Sequence, residues 1–165
     1  MKTKFELTSN IDLHEYAKLL KIPLHSVLNK DLFKNIIPIK QGCYIINLQD
    51  SQTGSGSHWV ALYLNKKIAI DFNSFGISIP TVILNFVRRF DKNIKIINSI
   101  DQIQTMKSIF CGYYCIYFLY FFSVLHKKCS NYTYLLNKHN SIFSIYNKNL
   151  NDLILRKLFK NIIEK

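Results

Sequence analysis

Acidic side chains are scarce in this chain. Ten Asp and Glu stand against 22 Lys and Arg, a formal net charge of +12 over 165 residues. That imbalance predicts attraction to polyanions, nucleic acid first and an anionic membrane surface second. No basic run is interleaved with stacking aromatics, so the charge fits a generally basic protein from a Lys/Asn/Ile-rich coding background equally well. Paired cysteines are lacking too. The four cysteines (Cys43, Cys111, Cys115, Cys129) form no C-x-x-C spacing, and no paired His or Cys set completes four zinc ligands around Cys111 and Cys115. No apolar signal core follows Met1-Lys2-Thr3-Lys4, which points to free thiols in a reducing intracellular compartment. Long hydrophobic runs are absent with one exception, the eighteen uncharged residues from Ser108 to Leu125. They reach the lower limit of a membrane span, but they include Cys, Gly, Ser and four tyrosines and have no companion segment. A buried core helix, and no membrane association, is the expectation.

Glycine and tryptophan are rare enough to be informative. Of five glycines, four (Gly54, Gly56, Gly76, Gly112) lie beside the residues singled out below, and the one tryptophan, Trp59, directly follows His58.

Apolar residues make up 48% and aromatics 14%, which excludes disorder over most of the length. The size fits one domain spanning residues 1–165. Ile11 to Lys21 reads as a short amphipathic helix that Asn10 or Asp12 can cap, with Pro23 beyond its end. A second helical stretch is expected near Pro23 to Phe33, before a turn at Pro38. Cys43 to Leu48 reads as a strand. His58 to Leu64 and Ile68 to Phe72 read as a hairpin joined by Asn65-Lys66-Lys67. Helical spacing recurs over Ile79 to Phe90, with Pro80 in the first turn, and Ile94 to Ile97 reads as another strand. The buried helix then starts at Phe110, followed by helical patterns over Tyr132 to Lys138 and Leu150 to Ile163. This order predicts an α+β fold: a small, mostly antiparallel sheet packed against helices, with the central buried helix carrying a nucleophile.

Four residues supply the parts of a thiol hydrolase. A free thiol is mostly protonated at neutral pH, so a nucleophilic cysteine needs a neighbouring base. Cys111 is the candidate nucleophile. Ser108 is expected to cap its helix, which would put Cys111 in the first turn, where unpaired N–H groups and the macrodipole favour thiolate. Gly112 inside that helix suggests close approach of another segment. His58, opening a strand after a flexible loop, is the candidate base. Asn73 is the candidate orienting group, with Asp71 on the same strand face as its rival. Gln104 is the candidate oxyanion donor beside the backbone N–H of Cys111, with Gln102 close by. His139-Asn140 offers a different order, cysteine first and then histidine and asparagine.

The blocks Ile22-Pro23-Leu24, Gly42 to Leu48, Gly56-Ser57-His58-Trp59-Val60-Ala61, Asp71-Phe72-Asn73-Ser74-Phe75-Gly76 and Gln104 through Cys115 resemble an adenovirus-type cysteine protease (adenain). The versions in Polinton/Maverick-type elements and related viruses are the most similar. The resemblance implies a fold related to SUMO-specific and papain-type proteases. It assigns the base to His58, the orienting group to Asn73, the oxyanion donor to Gln104 and the nucleophile to Cys111. Capsid and core precursor proteins are the implied substrates, cut during virion maturation in an infected host cell, its nucleus included. No cofactor is implied. Stimulation by DNA or by an activating peptide belongs to the resemblance, and non-specific DNA is the implied nucleic-acid partner. Asn73 departs from the family's usual Asp or Glu, which implies either weaker activation of the base or an orienting task shifted towards Asp71, although papain-like enzymes work with asparagine in this role. Two alternatives follow: an isopeptidase acting on ubiquitin-like modifiers, and a DNA-binding or structural descendant without catalysis.

Overall fold

The computed structural model describes residues 5–37, 41–54 and 57–164. The expected turn at Pro38 and the glycine at Gly56 lie outside them. The helix α1 spans Asn10–Leu19, and Ser9 caps it rather than Asn10 or Asp12. The Asp12 N–H donates to Ser9 Oγ at 3.2 Å while the Ser9 N–H donates to Asp12 Oδ2 at 2.8 Å, a reciprocal capping box. Asp12 is therefore the inner partner of the cap.

The stretch expected to be a second helix is mostly strand. Leu24–Asn29 forms β1, and only Lys30–Phe33 turns helical, as α2. The apolar pair Val27-Leu28 fits either period over so short a run. Pairing along the neighbouring strand Gly42–Asn47 (β2) satisfies the backbone of β1 and decides the outcome.

The sheet continues through β3 (Trp59–Leu64), β4 (Ile68–Phe72) and β5 (Lys95–Ser99), in the spatial order β1-β2-β3-β4-β5. The β3–β4 hairpin is antiparallel, as is β2 with β3, whereas β1–β2 and β4–β5 are parallel. The sheet is thus mixed, not mostly antiparallel. Its parallel edges follow from helical crossovers: α3 (Thr81–Phe90) carries the chain from β4 back to start β5 beside it. Pro80 sits at the N-cap of α3, just outside its first turn.

Strands β2 and β4 are buried along their whole length because both sheet faces are covered. On one face Tyr44, Ile46, Val60, Leu62 and Ala69 pack against Ile83, Phe86 and Val87 of α3. On the other, Ile45, Ala61, Ile70 and Phe72 pack against α4, which spans Cys111–Tyr120 and is continued by a π-helical turn at Phe121–Leu125. Phe72 stacks on Phe118 at 4.5 Å between ring centroids, an offset pair that adds ~0.5–1.5 kcal/mol to its area burial. Helices α5 (Tyr132–Asn140) and α6 (Asn151–Ile163) close this second layer. The uncharged stretch from Ser108 to Leu125 is accordingly the centre of the larger core. Among the described residues no helix is long and apolar enough to cross a membrane.

Candidate active site

His58 precedes β3 and Asn73 follows β4, so the hairpin that pairs Ala61 with Phe72 returns one beside the other. His58 Nε2 lies 2.9 Å from Asn73 Oδ1. The same Oδ1 accepts the Phe75 backbone N–H at 3.0 Å. That second bond is informative, because only an oxygen can accept from a backbone N–H, so it fixes which end of the amide faces the imidazole. His58 Nε2 must then carry the proton and donate it, leaving Nδ1 as a bare lone pair. Nδ1 is buried and has no hydrogen-bond partner. Phe75 stacks on the imidazole at 4.1 Å and 15°, holding the ring flat against one wall. Burial pushes the His58 pKa below its ordinary value, and the bond to Asn73 opposes this only in part.

Cys111 opens α4 with Phe110 at the N-cap. Ser108 does not cap this helix; its Oγ accepts the Phe110 N–H at 3.2 Å in the turn before it. The two sulfurs of the first turns bracket the Trp59 peptide, which adjoins His58. The Trp59 N–H points at Cys111, and the Cys115 thiol donates to the Trp59 carbonyl at 3.3 Å. Cys111 is thereby held at the end of the sheet where His58 enters it. Burial raises the Cys111 pKa, and the N–H groups of Trp59, Gly112 and Cys111 reduce the rise without cancelling it. The thiolate expected from the helix terminus is therefore not the resting form. With imidazole depressed and thiol raised, both groups rest neutral. No hydrogen bond yet joins Nδ1 to the thiol.

Gly112 has a steric reason. A Cβ built there would overlap Thr8 Oγ1 and come within 3.0 Å of Leu13 Cδ2. Thr8 belongs to an N-terminal segment drawn across the start of α4. Its carbonyl accepts the Trp59 indole N–H at 3.2 Å, while Phe5 stacks on Phe110 with Arg156 over both rings.

Gln104 is fully buried and its amide is oriented from two sides. Ser74 Oγ donates to Gln104 Oε1 at 2.5 Å, and Nε2 donates to the Ser108 carbonyl at 2.8 Å, which uses one of its two N–H groups. The Gln104 backbone N–H also reaches the Ser74 carbonyl, at 3.0 Å. This contact depends on Gly76, at φ 67°, where a Cβ would stand 2.6 Å from the Ile100 carbonyl. One short segment, Asn73-Ser74-Phe75-Gly76, thus orients both His58 and Gln104. The roles of Ser74 and Phe75 were not expected from the sequence, although both fall inside the block that contains Asn73. Gln102 faces elsewhere, donating its amide to the Gln104 carbonyl at 3.1 Å.

Asp71 makes no contact with His58. It is wholly buried, neither carboxylate oxygen has a hydrogen-bond partner, and burial pushes its pKa up to about 7. His139 and Asn140 do meet, at 2.9 Å, but in an unexpected setting. His139 sits buried at the end of α5 among Phe72, Tyr117, Phe118, Phe121 and Phe143, and its pKa falls to about 4. Of these rings, Tyr117, Phe118 and Phe121 lie about two to three turns beyond Cys111 on the same helix and the turn that continues it. All four cysteines are free, and among the described residues no group of His, Cys, Asp and Glu is arranged to hold a metal ion.

A sequence model described as adenovirus endoprotease matches residues 27–164. The chain belongs to the adenovirus endoprotease family. No curated protein sequence matches it. Among solved structures, an ASFV protease is similar at 16% identity with a TM-score of 0.54, covering 95% of this chain and 66% of that one. The selenomethionine crystal structure of the ASFV protease gives 20% identity and a TM-score of 0.42, covering 70% of this chain and 42% of the other. At 16% identity the likeness is one of fold. The chain spans less than two thirds of the length of either ASFV structure.

Proposed function

We propose that this adenovirus endoprotease family member cleaves peptide bonds with Cys111 as nucleophile, His58 as base and Asn73 as the orienting group, and that capsid or core precursor proteins are its substrates. The observation that carries this reading is the double use of Asn73 Oδ1, which accepts both the Phe75 N–H and the His58 Nε2–H. It leaves Nδ1 unprotonated and able to take a proton.

Substrate binding brings the scissile carbonyl to the start of α4. The Cys111 proton passes to His58 Nδ1 as sulfur attacks the carbonyl carbon, and the carbonyl electron pair moves onto oxygen. That oxyanion takes hydrogen bonds from the backbone N–H of Cys111 and from the second N–H of Gln104 Nε2, a donor already aimed by Ser74 and Ser108. As the intermediate collapses, the imidazolium gives its proton to the leaving amine and a thioester remains. Water, deprotonated by His58, then attacks the thioester, and the departing thiolate takes the proton back. Every proton and electron pair is handled by the protein and water, so no cofactor is required. Asn73 holds the ring and its tautomer but cannot neutralise imidazolium as a carboxylate does, which suits a pair that rests uncharged.

A cleft of about 750 Å³ lies on the α3 side, lined by Lys34, Arg88, Arg89 and Lys92 together with Asn35, Asn85 and Val82. Arg89 is pinned to the Lys34 carbonyl at 3.0 Å and Arg88 to the Lys92 carbonyl at 2.7 Å, which fixes the positive charges in place. We assign this face as the contact for non-specific DNA. Binding there falls steeply between low and physiological salt, because phosphate contact releases counterions.

The test is cleavage by the purified chain of a capsid precursor from the same genome, beside a ubiquitin-like fusion. Cleavage of the precursor, lost in Cys111→Ala, supports the proposal. Cleavage of the fusion alone moves the activity to the isopeptidase class. If neither is cut and a peptidyl vinyl sulfone leaves Cys111 unmodified, catalysis has been lost.

A further inference from the structure

Asp71 has no place in the cycle above, yet it occupies a costly position. A carboxylate buried without a partner is disfavoured by several kcal/mol, so the group must be neutral, engaged, or both. Its register partners are Leu62 on β3 and Asn98 on β5, so its side chain shares their sheet face, the one covered by α3. Asn73 lies two positions further along, just past the end of β4. Three buried polar groups in this small region lack partners: the Asp71 carboxyl, Asn73 Nδ2 and Asn98 Oδ1.

Their capacities match in one protonation state only. A neutral carboxyl has an O–H for Asn98 Oδ1 and a carbonyl oxygen for Asn73 Nδ2–H. An ionised carboxylate offers acceptors alone and sets one of them against Asn98 Oδ1. We propose that Asp71 is a positioning residue, held as a neutral acid, that accepts from Asn73 Nδ2 and donates to Asn98 Oδ1 through bridging water. The amide that orients His58 is thereby gripped at both ends: Oδ1 by Phe75 and the imidazole, Nδ2 by Asp71.

The surroundings favour the neutral acid. From β3 the face presents Val60 and Leu62, and α3 presents Ile83, Phe86 and Val87, all apolar. His58 is neutral, and Cys111 and Cys115, across the sheet on α4, are neutral thiols whose pKa values burial raises. The guanidinium groups of Arg88 and Arg89 are bound to main-chain carbonyls of Lys92 and Lys34. Desolvation is accordingly the cause that lifts the Asp71 carboxyl from 3.8 to about 7. Ionisation near neutrality would release Asn98, loosen the grip on Asn73, and so weaken the hold on His58.

This inference rests on His58 and Asn73 being the catalytic pair, and the experiment separates the two questions. Asp71→Asn reproduces the donor and acceptor of the neutral acid without its titration, whereas Asp71→Leu keeps the bulk and removes both. Cleavage is followed from pH 5.5 to 8.5, and the His58 ring by nitrogen NMR. The parent should lose kcat with a midpoint near pH 7, and Asp71→Asn should match it at pH 6 and show no such loss. Asp71→Leu should drop kcat roughly tenfold to a hundredfold with KM unchanged, the cost of a misplaced catalytic group, and its His58 Nε2–H signal should broaden. The NMR arm stands without activity: the parent's Nε2–H signal should respond near pH 7 and that of Asp71→Asn should not. Asp71→Asn as damaged as Asp71→Leu, or an Nε2–H signal with the same pH response in parent and Asp71→Asn, overturns the inference. A parent that cleaves nothing while this NMR pattern holds refutes the catalytic assignment and leaves the positioning network standing. If Asp71→Leu does not fold, the pH profile and NMR of Asp71→Asn decide alone.

Discussion

Replacing Asp71 by asparagine should stabilise the protein, and by an amount that grows with pH. The carboxyl titrates near 3.8 when exposed and at about 7 in the folded chain. A pKa raised on folding means that the native state binds more proton than the unfolded state between those values. The associated stability is present in full below 3.8 and is lost as pH rises through 7. Each pH unit between the two values is worth ~1.4 kcal/mol, so a gap of about three makes the parent up to ~4 kcal/mol less stable at pH 8 than at pH 4 through this group. That is an upper figure, since relaxation around a buried charge lowers the penalty. Asparagine has the same shape and no titration, while every other ionisable group is common to both proteins. Urea unfolding of parent and Asp71→Asn at pH 4, 5, 6, 7 and 8 isolates the contribution of this one carboxyl. The difference in unfolding free energy should climb by up to ~1.4 kcal/mol per pH unit and level off above pH 7. A difference that stays constant from pH 4 to pH 8 would refute the raised titration of this buried carboxyl and the reasoning built on it.

Asn73→Asp should retain or raise cleavage, because a carboxylate beside the imidazole lifts its depressed pKa and can accept the O–H of neutral Asp71 in place of the lost Nδ2 donor, whereas Asn73→Ala should lower kcat; activity against pH for both variants checks this. Gln104→Ala should lower kcat by ~10²–10³ with little change in KM, as expected for an oxyanion donor, and equal losses in kcat and kcat/KM are the signature to look for. Gly112→Ala should destabilise the chain by ~1–3 kcal/mol, because overlap with Thr8 and Leu13 outweighs the ~1 kcal/mol that alanine gains in helix propensity; urea midpoints measure it.

Much of the frame around the site could be read in advance from local pattern. The hairpin is one case: its turn is closed by Asn65, whose Oδ1 accepts the N–H groups of Lys67 and Ile68 at 2.8 and 3.0 Å. The direction of the edge strands was less accessible. A helix between β4 and β5 is itself a signal for a parallel crossover, and it was available in the pattern of Ile79 to Ile97. Val27 and Leu28 carried no such signal, since their strand state depends on pairing with Ile45 and Ile46, residues far along the chain. In the site, the spacing of Phe72, Asn73, Phe75 and Gly76 marked a special turn. The bond from Ser74 to Gln104 spans 30 positions and leaves no trace in spacing. Burial was the largest blind spot. The helix terminus at Cys111 argues for a thiolate and the order of His139-Asn140 for a second pair. Desolvation opposes the first, and an aromatic enclosure buries the second away from Cys111.

The most direct measurement of the central claim uses a peptidyl vinyl sulfone and mass spectrometry of the intact and digested protein. Cys43, Cys115 and Cys129 serve as internal controls, two buried and one half-exposed. If the thiol at the start of α4 reacts with the help of the imidazole held by Asn73, the adduct forms on Cys111 alone and is lost in His58→Ala. An adduct on Cys129 in place of Cys111, or one on Cys111 that forms just as fast without the imidazole, would contradict the account.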